Sequence, residues 1–162
     1  MEYVGAEQPK DQGCLFCQAA ATPDDPRLQV LFHNDQALVM MNKYPYSNGH
    51  IMVVPKRHIS QLEELNQAEK LAMMDLLAHG SLVLKKALCA DGLNAGFNLG
   101  KAAGAGIPGH LHLHLVPRWN NDVNFMTVLA DVRTIPEHLE ITYKKLKTYF
   151  AQMEDNSNDG VY

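Results

Sequence analysis

The sequence predicts an α+β domain: a largely antiparallel sheet with one long helix and a C-terminal helix. Three observations carry this. Short apolar or alternating runs recur at Gln29–Phe32, Ala37–Met41, His50–Val54, Leu93–Leu99 and His110–Val116, bounded by turn residues. A 3.6-residue period runs through Leu71, Met74, Leu77, Leu84 and Leu88, and another through Leu139, Tyr143, Leu146 and Phe150. Regular strand–helix–strand alternation is missing. With 162 residues, 46% hydrophobic and 20% charged, the chain suits one domain with its own core.

Residues 1–13 are polar and read as a flexible N-terminal segment. Cys14-Leu15-Phe16-Cys17 and an alanine-rich stretch follow, then the turn Thr22-Pro23-Asp24-Asp25-Pro26. The first two strands flank a His33-Asn34-Asp35 turn, and Asn42 to Gly49 (NKYPYSNG) is a turn-rich loop before the third. Asn66-Gln67-Ala68-Glu69 has capping-box spacing and opens the long helix. Asp91-Gly92 is expected to close it as a left-handed terminus, with Cys89 in its core. A loop with four glycines, Gly100 to Gly109, leads into the last strand. Pro136 suits the first turn of the C-terminal helix. A single domain is expected over 14–153, with a polar tail over 154–162.

The formal net charge is −4, from 14 basic and 18 acidic residues, and no basic stripe offers a phosphate-tracking face. Nucleic acid is therefore not an expected partner. No apolar run is long enough for a membrane span, and the first residues lack the basic and apolar regions of a secretory signal. Three cysteines are too few, and odd in number, for a disulfide framework; a reducing cytoplasm fits them.

Eight histidines is a high count, and His110, His112 and His114 alternate with Leu111, Leu113 and Leu115. Successive strand residues face opposite sides, so the leucines pack on a core and the imidazoles line the other face, neighbours about 6.6 Å apart. Such a face is a solvated surface, a metal site, or a seat for nucleophilic catalysis in which a neutral imidazole attacks phosphorus. Gly104, Gly106 and Gly109 free the backbone to turn amides into an anion-binding nest, which suits phosphate better than a bare divalent ion. Cys14 and Cys17 have the spacing of half a zinc site, or are a buried or redox pair of thiols. His33, His79 and His138 read as surface or capping residues, and Trp119 and Phe125 as packing. Met40 and Met41 read by default as core fillers, although one of them suits contact with a flat base.

HLHLHLV, His110 to Val116, resembles the signature of the histidine triad (HIT) superfamily: His-x-His-x-His followed by two apolar residues. Asn42 to His50 resembles the family's Asn-or-Asp … Gly-His segment, and IMVVP followed by Lys56-Arg57-His58 continues the likeness. It covers Cys14 to Trp119 in the family's order. Pro117 to Phe125, and on through Met126, resembles the branch of bacterial diadenosine tetraphosphate phosphorylases and fragile-histidine-triad-like enzymes.

The resemblance implies a HIT-like fold and a nucleotidyl hydrolase or transferase. His112 would be the nucleophile, forming a covalent nucleotidyl-histidine at an α-phosphate, with its other ring nitrogen held by a backbone carbonyl. His114 would contact phosphate oxygens and assist the leaving group, and His50 would flank the phosphate. Asn42 would bind the ribose hydroxyls and Asn98 would face the phosphates. Where related enzymes often carry Gln, Ser or Thr before the triad, this chain has only backbone amides of Gly104 to Gly109 and Lys101. A structural zinc on Cys14, Cys17, His58 and His110 is implied, with no catalytic cofactor. The implied substrate is a nucleotide or dinucleoside polyphosphate, foremost diadenosine tetraphosphate, cleaved by water or by phosphate. A homodimer is implied too. The alternatives are a zinc-dependent hydrolase using the triad as its catalytic metal site, and a non-catalytic nucleotide sensor.

Overall fold

The computed structural model describes residues 13–122 and 138–157; the readings on Phe125, Met126 and Pro136 lie outside them. Five strands form one antiparallel sheet: β1 (Val30–His33), β2 (Ala37–Met41), β3 (Ile51–Pro55), β4 (Gly92–Phe97) and β5 (Leu113–Arg118), in the order β1-β2-β3-β5-β4. Three α-helices among the described residues, α1 (Leu15–Ala21), α2 (Gln67–Leu88) and α3 (Leu139–Ser157), cover its two faces. None of the described helices is long and apolar enough to cross a membrane.

The near-continuous apolar runs ALVMM and IMVVP become β2 and β3, and every residue of both is buried. Strands read this way when both faces are covered. On one face, Val39, Met41, Ile51, Val53, Leu113 and Leu115 pack with α2 and with Leu146 and Phe150 of α3. On the other, Leu38, Met40, Met52 and Val54 pack with Phe16 and Ala19 of α1. Met40 and Met41 thus serve two cores, and neither is exposed.

Several sequence expectations shift. The regular strand begins at Leu113, not His110, although Leu111 stays on the leucine face. The Leu111 N–H bonds to the Ile59 carbonyl instead of entering the ladder, and the His110 carbonyl is taken by a side chain. In α2 the buried face is Ala72, Met73, Leu76, Gly80, Val83, Leu84 and Ala87, while Leu71 and Met74 are 64% and 60% exposed. Counting leucines missed the small residues that let the helix approach the sheet: a Cβ on Gly80 would sit 3.1 Å from Ile51. The helix ends in Cys89, left-handed at φ 52, and not in Gly92; Cys89 is exposed and outside the core. Asn66 and Glu69 do form the expected capping box. Helix α1 had no periodic signature, since its seven residues are too few to be helical without tertiary packing. Helix α3 runs to Ser157, past the expected start of the polar tail. His79 is half-buried, its ring against Phe32 and Phe150, not a surface residue. Trp119 donates its Nε1–H to the Leu88 carbonyl at the end of α2.

Candidate active site

The Asn42–Gly49 loop closes on itself before β3. The Asn42 N–H bonds to the His50 carbonyl (2.9 Å) and the His50 N–H to the Ser47 carbonyl (3.2 Å). The Tyr44 N–H bonds to Asn42 Oδ1 at 2.9 Å, an Asx turn. Gly49 sits at φ +75 with its Cα against α2, where a Cβ would meet Leu88 at 2.2 Å; only glycine fits. This delivers His50, fully buried, to the face of the sheet that carries the triad. The β3–β5 register sets Met52 opposite His114, so His50, two residues upstream on the same face, reaches it.

Hydrogen bonds assign the protons. His50 Nδ1 accepts the Tyr46 backbone N–H (3.1 Å), with Asn42 Nδ2 at 3.3 Å. Its Nε2 therefore carries hydrogen and donates to His114 Nδ1 at 2.9 Å. His114 keeps its own proton on Nε2; Asn98 Nδ2, also a donor, lies 3.5 Å from it, so the two N–H groups face the same space and do not bond each other. His112 donates Nδ1–H to the His110 carbonyl at 2.8 Å, which leaves its Nε2 lone pair unprotonated. The His112 and His114 rings are 4.8 Å apart. The site thus presents one nucleophilic nitrogen beside one N–H donor.

Burial keeps these rings neutral. It pushes His50 down to about 3, helped by the neighbouring His114 and His112. His114 falls to about 4, by burial and then by His112. His112 is lowered by burial, opposed by its bond to the His110 carbonyl.

The first triad histidine belongs elsewhere. His110 donates Nε2–H to the Pro55 carbonyl at 2.9 Å and turns Nδ1 toward Cys14 Sγ (3.2 Å) and Cys17 Sγ (3.7 Å). Cys17 Sγ also lies 3.2 Å from His58 Nδ1. All four donor atoms fall within 4.8 Å of one another, the one group among the described residues able to hold a metal. Tetrahedral zinc, with Zn–S near 2.3 Å and Zn–N near 2.05 Å, sets S···N separations of about 3.6 Å. The observed spacing fits, and the Pro55 bond fixes the tautomer that leaves Nδ1 free as a ligand. Such an ion would cross-link α1 to the residues before β5 and stay out of the phosphate chemistry.

The structure thus gathers His50, His112, His114, Asn42 and Asn98 in one site, and Cys14, Cys17, His58 and His110 in another. The glycines are less engaged. Gly104, at φ +83, spends its amide on the Lys101 carbonyl, and Gly104, Gly106 and Gly109 are all exposed. Two residues escaped the sequence reading. Phe16, between the two cysteines, packs its ring 5.3 Å from His110 and 5.0 Å from His112. Tyr46 lays its ring 4.6 Å from His50. Phe16 sat inside a motif read only for its thiols, and Tyr46 inside one read for its ends.

The HIT domain family model matches residues 26–121. The chain belongs to the HIT family. This HIT protein is 41% identical over 113 residues to an AP-4-A phosphorylase of Mycobacterium tuberculosis, a match that takes in 70% of the chain and 58% of the relative. The chain therefore spans little more than half of that protein's length. It is 32% identical to an uncharacterised HIT-like protein of Saccharolobus solfataricus, over 70% of the chain and 79% of the relative. Among solved structures, a Zn-bound histidine triad family protein from Mycobacterium smegmatis superposes with a TM-score of 0.71 at 26% identity, covering 89% of this chain and 97% of that one. The α+β fold with its five-stranded antiparallel sheet is the fold of these neighbours, and the homologues include nucleotide-processing enzymes.

Proposed function

We propose that this HIT protein cleaves dinucleoside polyphosphates, diadenosine tetraphosphate foremost, through a covalent nucleotidyl-His112. The observation that carries the reading is the His112 tautomer, with Nδ1–H on the His110 carbonyl and Nε2 unprotonated. Attack forms an Nε2–phosphorus bond as the bond from the α-phosphorus to the next bridging oxygen breaks, its electron pair leaving with that oxygen. The cationic imidazole so formed is stabilised by the same carbonyl. His114 Nε2–H hydrogen-bonds the departing oxygen, and His50 holds His114 in the donating tautomer. Asn42 is assigned to the ribose hydroxyls and Asn98 to the phosphates, beside His50 and His114 respectively. The backbone amides of Gly106 and Gly109 are assigned to the phosphate seat, those of Gly104 and Ala105 being bonded to the Lys101 and Gly100 carbonyls. Water or inorganic phosphate then attacks the same phosphorus, and the Nε2–phosphorus bond breaks with its pair returning to nitrogen. The products are ATP with AMP, or ATP with ADP. The phosphorylase name of the 41% identical relative supports the phosphate route.

The test is incubation with diadenosine tetraphosphate, with and without phosphate. ADP formed only with phosphate marks a phosphorylase. His112→Ala is expected to abolish turnover and the acid-labile adduct trapped on wild type by quenching. Unimpaired turnover by that variant would sink the reading.

We further assign zinc to the Cys14, Cys17, His58 and His110 cluster, as a structural ion. The donor spacing and the Zn-bound neighbour support it. His110, committed to that cluster and to Pro55, favours this over a catalytic metal at the triad. A homodimer joined through β4 is also proposed. β4 ends the sheet order, Asn94, Ala95 and Gly96 are exposed, and beside it lies an apolar groove of Met74, Leu77, Ala78, Leu93 and Ala95. Three cysteines, two of them in the proposed zinc site and none paired in a disulfide, support a reducing, cytoplasmic setting.

A further inference from the structure

Helix α3 lies beyond the family match, which ends at residue 121, yet it reaches the loop that carries His50. Thr142 is fully buried, and its hydroxyl donates to Asn48 Oδ1 at 2.9 Å. Asn48 stands two residues before His50. The β2–β3 pairing fixes the two ends of the loop, through Met41 opposite Ile51 and the Asn42 N–H on the His50 carbonyl, and contacts with other elements set its outer part. Among the described residues, Gly49 backs onto Leu84 and Leu88 of α2 and Pro117 of β5, the Tyr46 ring lies against His114, and Asn48 is tied to α3. The loop is clamped between two helices. Helix α3 is itself anchored, with Leu146 and Phe150 fully buried and with Lys147 Nζ (3.0 Å) and Tyr143 Oη (3.3 Å) both donating to the Val30 carbonyl.

The position of this loop matters to the chemistry because the Tyr46 N–H, in the same loop, holds His50 Nδ1. A shift of the loop moves donor and ring together relative to His114, across a 2.9 Å bond with little tolerance for displacement. We propose that Thr142 is a positioning residue: through Asn48 it holds the 42–50 loop so that His50 presents Nε2–H to His114. Its consequence for rate rests on the nucleotidyl-transfer reading; its consequence for imidazole geometry does not.

Thr142→Val removes the donor at nearly the same volume, Thr142→Ser keeps it, and Asn48→Ala removes the acceptor from a half-buried position. Thr142→Val and Asn48→Ala are expected to lower kcat on diadenosine tetraphosphate about tenfold, the rate equivalent of one well-aligned hydrogen bond, with KM within about twofold. Thr142→Ser should stay within about twofold of wild type by the same measure. Long-range ¹H–¹⁵N spectra of the imidazoles supply the second readout. The His50 and His114 nitrogen signals should move in Thr142→Val and Asn48→Ala and hold in Thr142→Ser. A purely structural bond would lower Tm and leave those signals in place. Wild-type kcat and wild-type imidazole spectra in the first two variants overturn the proposal. Should Thr142→Val fail to fold, Asn48→Ala decides. A wild type that leaves the dinucleotide intact would refute the proposed function, and the spectra alone would then decide the bracing.

Discussion

Acidifying the protein from pH 7.5 to 5 tests the buried imidazole pair directly. In the unfolded chain each histidine takes up a proton near 6.5; in the native chain His50 resists until about 3 and His114 until about 4. Between those limits the unfolded state binds more protons. Stability is therefore full above about pH 6.5 and declines as pH falls toward the native values. At pH 5 each ring contributes a loss of about 2 kcal/mol, or about 4 kcal/mol together. For a chain of this size that is a fall in Tm of about 8–16 °C. His112, depressed by the same burial, adds in the same direction. The carboxylates held low by hydrogen bonds do not confuse the window. Asp25 and Asp122, at about 2 beside Arg27 and Arg118, give up their stabilisation only as pH falls below the ordinary 3.8. The assay is calorimetry across the pH range on wild type and on His50→Asn, whose amide can still accept the Tyr46 N–H. The variant should lose the His50 share, about 2 kcal/mol, of the pH-dependent drop. A flat Tm in wild type, or an unchanged slope in His50→Asn, refutes the claim that these rings are held neutral by burial.

Two further outcomes follow from the other sites. Stripping metal with a chelator should lower Tm, and an ion present at a thousandfold above its Kd accounts for about 4 kcal/mol of stability; equal melting with and without chelator, with no zinc released, removes the zinc assignment. The chain should sediment as a dimer, and replacing the exposed Leu71 and Met74 by lysine should shift it toward monomer without loss of helical signal; a wild-type monomer at micromolar concentration would contradict the β4 interface.

Much of the site was legible in the chain because its residues are close in sequence. Three alternating histidines, a Gly-His pair before an apolar strand, and a Cys-x-x-Cys are short motifs, and their resemblance to the family's motifs supplied the roles that spacing alone left open. The strand period also placed Leu111, Leu113 and Leu115 on the core side correctly. What spacing could not decide was which atoms each imidazole gives to which partner. His110 and His112 are neighbours on one face, yet one turns to cysteines 96 and 93 residues away and the other bonds the first one's carbonyl. The helix face of α2 was misjudged for a related reason. Leucine and methionine occur on both sides of it, and Gly80, which marks the contact with the sheet, has no hydrophobic weight in a periodicity count.

By itself, then, the sequence carried the sheet-and-helix class and, through its motifs, the family and the candidate site residues, since these depend on residue types at short, regular intervals. Only the tertiary structure turned the His110 ring to the two cysteines, assigned the protons of the buried imidazoles, and brought Thr142 to Asn48 across 94 positions. Those outcomes depend on hydrogen-bond geometry between segments remote in the chain. Such geometry exists only once the sheet order is set and water is excluded from both of its faces.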